Sequence, residues 1–590
     1  MNSPTTWFLL LVLACASAAP RSVFAQETET APIAQKSKNE PQGKLTKFVF
    51  KDSKIFPGTQ RDVWIYVPQQ YSDEKAACLA AFCDGQAYVN PDRDNYAPAI
   101  FDKLIAAEEM PVTIGVFANP GVVPPTTANA LPRFNRSYEY DGLGDDYARF
   151  LDEELLPFIT KKFNLNISPE PNDRMVGGAS SGGVCAFNTA WARPDKFRRV
   201  WCTVGTFVGL RGGDELHSLV RKTEAKPLRI FLHDGSNDLN IYAGDWWMAN
   251  QQMQRALQWM GYEQEFKWDD AGHGRSGEMK YFADGLRFLW KDWPAPVKTH
   301  PENSGERRGE FLVPDEPWQI VSIGHKSTDG ITSNGEGDVF FSDSANSTIH
   351  KIDSADRTNL FAENTGKASG LAFGPDGKLY ACVAEKGEVV AYAADTSKVA
   401  NATSVTGGVF GKDLCIRADG TIYATSARKD GIMRISPDRK SLEMLSSVSD
   451  CQGIVFSPDQ SQIYVSSSSG RMATAIQVQQ NGGLINAQPF YWLHSPYRTD
   501  LSMLGAMTVD TDGWLYVASK LGIQICDQAG RVNFIIPMPA ETQHPSNICF
   551  GGPNMDCLFA ACGDKVLKRK LKTKGLHSWN APVTPAKPRL

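Results

Sequence analysis

The chain has 590 residues, of which 42% are hydrophobic and 22% are charged, a composition that is ordinary for globular proteins and excludes a wholly disordered chain. Since one hydrophobic core rarely serves more than about 300 residues, we expect several domains. The formal net charge of −5 argues against a generic nucleic-acid binder, which usually carries a basic domain or stripe.

The first 25 residues are interpreted as a signal peptide. The apolar run Trp7–Leu13 is shorter than the roughly 18–20 residues of a membrane span, and no other run reaches that length, so we expect no transmembrane segment. Small-residue cleavage sites follow at Ala16–Ala18 and Val23–Ala25. We therefore predict export to the periplasm or the medium. A disordered N-terminus is the first alternative, and lipoprotein anchoring through Cys15 is the second.

A polar stretch and a proline-rich stretch divide the remaining chain. Residues 26–44 are polar and poor in aromatics, and residues 294–316 combine prolines with charged residues, as semi-rigid linkers do. The apolar residues Phe311–Val313 suggest packing between the domains that the linker joins. We predict a signal peptide at 1–25, a tail at 26–44, a first domain at 45–293, a linker at 294–316, a second domain at 317–575 and a C-terminal tail at 576–590.

The first domain alternates short apolar strands with helical stretches. Strand-like runs are Val63–Val67, Thr113–Phe117 and Leu228–Leu232, and apolar residues at helical spacing cover Asp145–Phe163 and Asp245–Met260. This alternation predicts a mostly parallel sheet with helices on both faces.

The second domain repeats one short pattern, a turn with Asp or Gly followed by an apolar residue, an aromatic and small residues. Six copies recur at intervals of 40 to 52 residues, which predicts a six-bladed β-propeller with one four-stranded sheet per repeat. An irregular β-sandwich is the alternative, but its strands would not keep this period. The apolar anchors of the copies are Val339, Leu379, Ile422, Ile463, Leu515 and Leu558.

The twelve cysteines show no spacing typical of a zinc site, so we predict no metal site made of cysteine and histidine. Four of them, Cys382, Cys415, Cys549 and Cys562, lie in apolar strand-like runs, where a cysteine is usually a small buried hydrophobe. Export would allow a few disulfides, and the sequence assigns none.

The main chemical signal is the segment Gly178–Gly183, which matches G-x-S-x-G with Ser180 at its centre. The apolar Met175-Val176 precede it and a helix-compatible run follows, which is the strand–turn–helix context of a nucleophile elbow. We predict Ser180 as the nucleophile. For the motif alone, a glycine-rich turn without chemistry is the alternative.

An acid and a base follow Ser180 in the chain order expected for such a triad. Asp238 lies just past the strand Leu228–Leu232, where ligand sites form in open α/β sheets, and we predict it as the acid, with Asp234 as its rival and a structural loop cap as the alternative role. His273, in Ala271–Gly274, is predicted as the general base, although a solvated loop histidine would look alike. His233 ends a strand and is expected to be structural.

Two backbone N–H groups are predicted to form the oxyanion hole. One belongs to Ser181, directly after the nucleophile. The other belongs to Gln86, in the turn after the strand-like Leu79–Phe82. Trp246 and Trp247 fit either a sugar-binding cleft or a helix core.

The residues of the first domain resemble the esterase D and enterochelin-esterase-like branch of the α/β-hydrolases, which includes feruloyl and acetylxylan esterases. The resemblance covers about residues 45–293. It implies ester hydrolysis through an acyl-enzyme, with no metal and no cofactor. The shared segments are Cys83–Gln86, Arg136–Tyr140, the helix Tyr147–Ile159, Ser180 in its elbow, Gly235–Asp238 and Gly272–Gly274.

The second domain resembles the gluconolactonase and regucalcin family of six-bladed propellers, over about residues 315–575. The resemblance rests on Thr328–Ile331, Gly370–Phe373, Gly453–Asp459 and Pro545–Gly552. It implies one divalent cation in the central channel and hydrolysis of sugar lactones.

The family's metal ligands carry over poorly. Asp329 matches a glutamate, Lys412 and Gln452 match two asparagines, and Gly505 matches an aspartate. A protonated lysine has no lone pair to offer a metal, and its charge would repel one. We therefore expect no divalent cation in this propeller and interpret it as a binding or scaffold module.

The sequence thus predicts an exported serine carboxylic-ester hydrolase with a propeller appendage. Its expected substrate is an ester, with acyl esters of carbohydrates implied at family level, and no nucleic-acid partner is expected. The oligomeric state stays open. The alternatives are a metal-dependent sugar lactonase in the propeller and a catalytically silent binding protein.

Overall fold

A computed structural model describes residues 43–588 apart from 92–95, 275–276, 278, 301–304, 384, 394–398, 427–430 and 496–502. The predicted signal peptide, Cys15 and nearly all of the predicted polar tail lie outside these residues. Across the described ranges, no helix combines the length and the apolar character needed to cross a membrane.

An eight-stranded sheet organises the first half. The strands follow the order β1-β2-β4-β3-β7-β8-β9-β12, with parallel pairing from β4 through β12 and antiparallel pairing of β1 with β2 and of β2 with β4. The predicted mostly parallel sheet is confirmed. Its strands are β1 Lys44–Phe50, β2 Arg61–Val67, β3 Cys78–Cys83, β4 Thr113–Ala118, β7 Arg174–Ala179, β8 Arg199–Thr203, β9 Arg229–Asn237 and β12 Glu263–Gly272, and two small ribbons add β5 Val122–Val123, β6 Arg133–Phe134, β10 Asn240–Ile241 and β11 Gly244–Asp245.

Helices cover both faces of this sheet. Successive strand residues point to opposite sides, so each strand contributes apolar side chains to both layers. In β9, Ile230 and Leu232 belong to one apolar layer, whereas Phe231 belongs to the other. The first layer contains α5 and α7, and the second contains α1 and α8. The helices are α1 Ala97–Ala106, α2 Arg136–Tyr140, α3 Asp146–Arg149, α4 Leu156–Phe163, α5 Ser181–Ala192, α6 Leu216–Lys222, α7 Trp246–Trp259 and α8 Phe282–Trp290, and α9 Glu306–Phe311 follows in the linker.

The predicted helix Asp145–Phe163 is interrupted. A π-helical segment, Phe150–Leu155, separates α3 from α4. Pro157 lies in the first turn of α4 and has no N–H to donate, so the regular hydrogen-bond ladder is broken near this point.

Six four-stranded antiparallel sheets form the second half, and the predicted six-bladed propeller is confirmed. The last sheet takes its outer strand, β13, from the start of the domain, which closes the ring. The blades are β14 Thr328–Ser333 to β17 Thr358–Glu363 (with β15 Val339–Asp343 and β16 Thr348–Ile352), β18 Leu371–Phe373 to β21 Ala402–Gly407 (β19 Leu379–Val383, β20 Glu388–Tyr392), β22 Leu414–Ile416 to β25 Leu442–Ser447 (β23 Ile422–Ser426, β24 Gly431–Ile435), β26 Cys451–Phe456 to β29 Leu484–Trp492 (β27 Gln462–Ser467, β28 Met472–Val478), β30 Met507–Val509 to β33 Val532–Ile536 (β31 Leu515–Ser519, β32 Gly522–Cys526), and β13 Gln319–Ile323 with β34 Asn547–Gly551, β35 Cys557–Cys562 and β36 Lys565–Lys570.

The two halves contact each other directly. Arg569 of the propeller forms a two-pronged ion pair with Glu224, with N–O distances of 2.6 and 2.8 Å. Thr223 pairs through its main chain with Ile535 in β33. Phe311, in the predicted linker, is fully buried and packs on Trp514 and Phe534 of the propeller.

Eleven cysteines lie among the described residues, and all have free thiols. Cys382, Cys415, Cys549 and Cys562 are buried, as predicted for small hydrophobic residues in strands.

Candidate active site

Ser180 lies in a tight turn between β7 and α5. Its backbone has a φ of 58° and a ψ of −124°, a left-handed conformation that is strained for a residue with a side chain. The turn is tight enough that a Cβ on Gly178 would collide with the Gly182 carbonyl. The turn raises the Ser180 hydroxyl above the carboxyl edge of the sheet, at the N-terminus of α5, as a nucleophile elbow does.

His273 lies between Ser180 and Asp238 and contacts both. Its Nε2 is 3.0 Å from Ser180 Oγ, and its Nδ1 is 2.5 Å from Asp238 Oδ1. Asp238 is the first residue after β9 and His273 the first after β12, and these two strands are neighbours, so their ends bring the two side chains together. The structure thus joins all three predicted triad residues in one chain of hydrogen bonds.

The charges of the site favour an ionised Asp238. Burial opposes ionisation of its carboxyl, but the contact with His273, the adjacent Asp234 carboxyl and the Leu239 N–H together outweigh burial and hold the pKa of Asp238 below its ordinary value. Asp234 has the opposite behaviour, since burial and then the neighbouring Asp238 raise its pKa to about 9. Of the two rival acids, Asp238 is the one that contacts His273.

His233 is enclosed in the sheet. Its Nδ1 is 2.7 Å from Thr203 Oγ1, and the ring is 1% exposed. Burial lowers the pKa of His233 and favours its neutral form. These contacts match the structural role predicted for it.

The two predicted oxyanion groups lie on adjacent segments. Ser181 begins α5, where the first N–H groups have no intrahelical acceptor. Gln86 lies in the short 3-10 turn Gly85–Ala87, and its N–H donates to Asn119 Oδ1 at 3.0 Å. A substrate oxygen would therefore have to share the Gln86 N–H with Asn119.

An ion pair holds the turn that carries Gln86. Arg136 donates two hydrogen bonds to the Asp84 carboxylate, at 2.9 and 2.8 Å. Asp84 in turn lies beside the elbow, since a Cβ on Gly182 would approach its Oδ2 to 3.1 Å. Arg136 thus positions the turn next to the nucleophile.

Three further contacts at the site were not predicted as such. Thr206 Oγ1 is 3.4 Å from Ser180 Oγ and accepts a hydrogen bond from Trp246 Nε1 at 3.3 Å. The Trp246 ring is 3% exposed and meets the His273 ring edge to face, with centroids 5.9 Å apart. Trp246 is therefore a wall of the site and not an open sugar platform.

Asn119, the acceptor of the Gln86 N–H, was not predicted either. It directly follows β4, at the carboxyl edge of the sheet, and this position could have marked it as a site residue.

The four propeller positions matched to the family's metal ligands form a poor donor set for a metal. A cavity of about 320 Å³ is lined by all four matched positions, Asp329, Lys412, Gln452 and Gly505. Lys412 supplies no lone pair while protonated and Gly505 has no side chain, so these residues do not fit a divalent cation. Burial raises the pKa of Asp329, and Lys412 acts in the opposite direction.

One other group within the described ranges brings metal-ligand atoms together. His325, Asp343 and His350 have ligand atoms within 4.8 Å of one another. The Asp343 oxygens already accept the Lys326 and Ser327 N–H groups at 3.1 and 3.0 Å. Asp343 therefore closes the loop between β13 and β14.

Two family models match separate parts of the chain. The Esterase family model matches residues 53–286, and the SMP-30/Gluconolactonase/LRE-like region model matches residues 328–562. No curated protein matches the chain.

Among solved structures, the enterochelin esterase from Shigella flexneri is 21% identical, with 44% of this chain and 60% of that one covered and a TM-score of 0.35. A ferulic acid esterase is 18% identical over 42% of this chain and 98% of its own, with a TM-score of 0.34. The gluconolactonase from Xanthomonas campestris is 20% identical over 45% and 93%, with a TM-score of 0.40. The family models thus match the first half of the chain, in residues 53–286, to the Esterase family and the second half, in residues 328–562, to the SMP-30/Gluconolactonase/LRE-like region.

Proposed function

We propose that the protein is an exported serine carboxylic-ester hydrolase that works through an acyl-enzyme. The observation that carries this proposal is the hydrogen-bonded chain from Asp238 through His273 to Ser180 in a strained elbow. The proposal that the protein is exported rests on the apolar run and the small-residue cleavage sites in residues 1–25.

In this mechanism Ser180 Oγ attacks the ester carbonyl while His273 Nε2 takes its proton. Asp238 holds the His273 tautomer and stabilises the imidazolium that forms. The Ser181 N–H stabilises the oxyanion, together with the Gln86 N–H, which the oxyanion shares with Asn119. His273 then protonates the leaving alcohol, and a water activated by the same imidazole releases the acid.

The proposed substrates are acyl esters of carbohydrates or similar alcohols. The ribbon β10–β11 lies in the chain between Asp238 and Trp246, and Tyr242 at its tip is 92% exposed. An exposed aromatic ring at this place can stack on a sugar or an aromatic acyl group. In this proposal the propeller binds or orients the substrate and catalyses nothing itself.

The test is covalent labelling of the full chain with a fluorophosphonate, followed by peptide mass spectrometry. We expect the label on Ser180, and we expect none in Ser180→Ala or His273→Ala. Ser72→Ala is the matched control, because Ser72 is exposed and its hydroxyl accepts the Glu74 N–H, outside the proposed machinery, so this variant should label normally. A folded wild-type protein that takes no label would contradict the proposal.

Removal of divalent cations is expected to leave labelling and hydrolysis of p-nitrophenyl acetate unchanged. No step of the proposed mechanism uses a metal, and the four matched channel positions fit one poorly. The same samples should be assayed on a sugar lactone before and after EDTA. Lactone hydrolysis that EDTA abolishes and Asp329→Asn weakens would favour the metal-dependent lactonase instead.

A further inference from the structure

A second carboxyl lies behind the acid of the proposed triad. Asp234, in β9, is completely buried, and its Oδ1 accepts the Gly235 N–H at 2.8 Å. Its carboxyl lies next to the Asp238 carboxyl and the Asn250 amide. Two carboxyl groups this close cannot both ionise cheaply in a buried setting.

Each of the three side chains presents a buried oxygen that has no hydrogen-bond donor among the described residues. These are Asp234 Oδ2, Asp238 Oδ2 and Asn250 Oδ1. Rotating the Asn250 amide does not solve the problem, because its Nδ2 already donates to the Gly205 and Trp246 carbonyls at 2.9 and 3.1 Å. A buried acceptor without a donor is costly, so the geometry favours a proton on one of these groups.

Asp238 is the poorer place for that proton. Its Oδ1 already accepts two N–H groups, from His273 at 2.5 Å and from Leu239 at 2.6 Å, and both favour the carboxylate. Asp234 accepts the Gly235 N–H through a single oxygen. The proton therefore belongs on Asp234.

We propose that Asp234 stays protonated at neutral pH and donates a hydrogen bond to Asp238 Oδ2, which makes it a positioning residue for the acid that orients His273. Asp238 Oδ1 then accepts the hydrogen bond from His273, while Oδ2 accepts the one from Asp234. This inference rests on the proposed hydrolase function, because it assigns Asp234 a role only in that triad.

The groups that face Asp234 support this protonation. They are Asp238 on the following loop, Asn250 on α7 and Cys202 on β8, with His273 beyond Asp238. Asp238 is anionic, and neither Asn250 nor the buried Cys202 thiol brings a positive charge. Burial and the Asp238 charge together raise the pKa of Asp234 to about 9.

The test compares Asp234→Asn with Asp234→Ala in the full chain, using the rate of fluorophosphonate labelling and p-nitrophenyl acetate hydrolysis. The Asn amide can still accept the Gly235 N–H and donate to Asp238, so we expect rates within about threefold of wild type. The Ala variant loses a hydrogen bond to a charged group, so we expect kcat to fall roughly 10–100-fold with little change in KM.

The pH profile separates positioning from a structural role. Wild-type activity should decline as pH rises through about 9, where Asp234 ionises, and Asp234→Asn should lack this decline. Equal losses in both folded variants, normal rates in Asp234→Ala, or a wild-type decline that Asp234→Asn retains would each overturn the proposal. If Ser180 of the wild-type protein takes no label at all, the proposed hydrolase function itself is wrong. That result differs from each of the outcomes above, in which the wild-type protein is labelled.

Discussion

Asp238→Asn is expected to lower kcat for p-nitrophenyl acetate by about 10⁴-fold while leaving the fold intact. An amide at this position donates to His273 Nδ1 and forces the ring proton onto Nε2, the nitrogen 3.0 Å from Ser180 Oγ. The imidazole can then no longer accept the serine proton, and the imidazolium loses its counter-charge. His273→Ala removes the base outright and should cost at least as much.

The matched control is Asp245→Asn. Asp245 is also an aspartate near the site, but its carboxylate caps α7 by accepting the Met248 N–H at 3.0 Å. Asparagine caps a helix about as well as aspartate, so this change should leave both the stability and kcat nearly unchanged. Similar kcat values for Asp238→Asn and wild type would show that Asp238 is not the acid of this site.

The sequence could identify the triad candidates because each lies where a strand ends. Residue spacing alone predicted Ser180 in an elbow, and chain order pointed to Asp238 and His273. The strand β9 extends to Asn237, five residues beyond the predicted end at Leu232, and this places Asp234 inside the strand and Asp238 after it. The structure brings the three side chains together, and their catalytic roles stay predictions.

The partners of Asp234 and Gln86 could not be predicted from sequence. Asn250 and Asn119 reach them from other strands and helices, across separations in the chain that no local pattern encodes. The contact between the two halves likewise joins residues that are far apart in the chain. Glu224 and Arg569 are 345 positions apart, and only the docking of α6 on the blade β30–β33 makes them partners.

A buried ion pair supports the segment that the resemblance singled out. Glu139, in Arg136–Tyr140, accepts two hydrogen bonds from Arg61 at 2.7 and 3.0 Å, and both side chains are 0% exposed. The Arg61 guanidinium also lies 4.1 Å from the centre of the Phe150 ring. This pair ties α2, and with it the Arg136 that holds the Asp84 turn, to β2.

Glu139→Gln should destabilise the esterase domain by about 3–5 kcal/mol, because it leaves the Arg61 charge buried without a counter-charge. For a domain of this size the temperature at which labelling of Ser180 is lost should fall by roughly 6–20 °C. Loss of labelling on heating is the measurement of choice, since it follows the esterase domain and not the propeller.

Glu153→Gln is the control for the charge change. Glu153 pairs with Arg149 on the surface, with both side chains about half exposed, and such pairs contribute less than about 0.5 kcal/mol. The double change Arg61→Met with Glu139→Met should recover most of the loss, because two apolar side chains leave no unpaired charge. Equal transition temperatures for Glu139→Gln and Glu153→Gln would mean that water reaches Arg61, and the pair would then hold α2 no more firmly than a surface contact does.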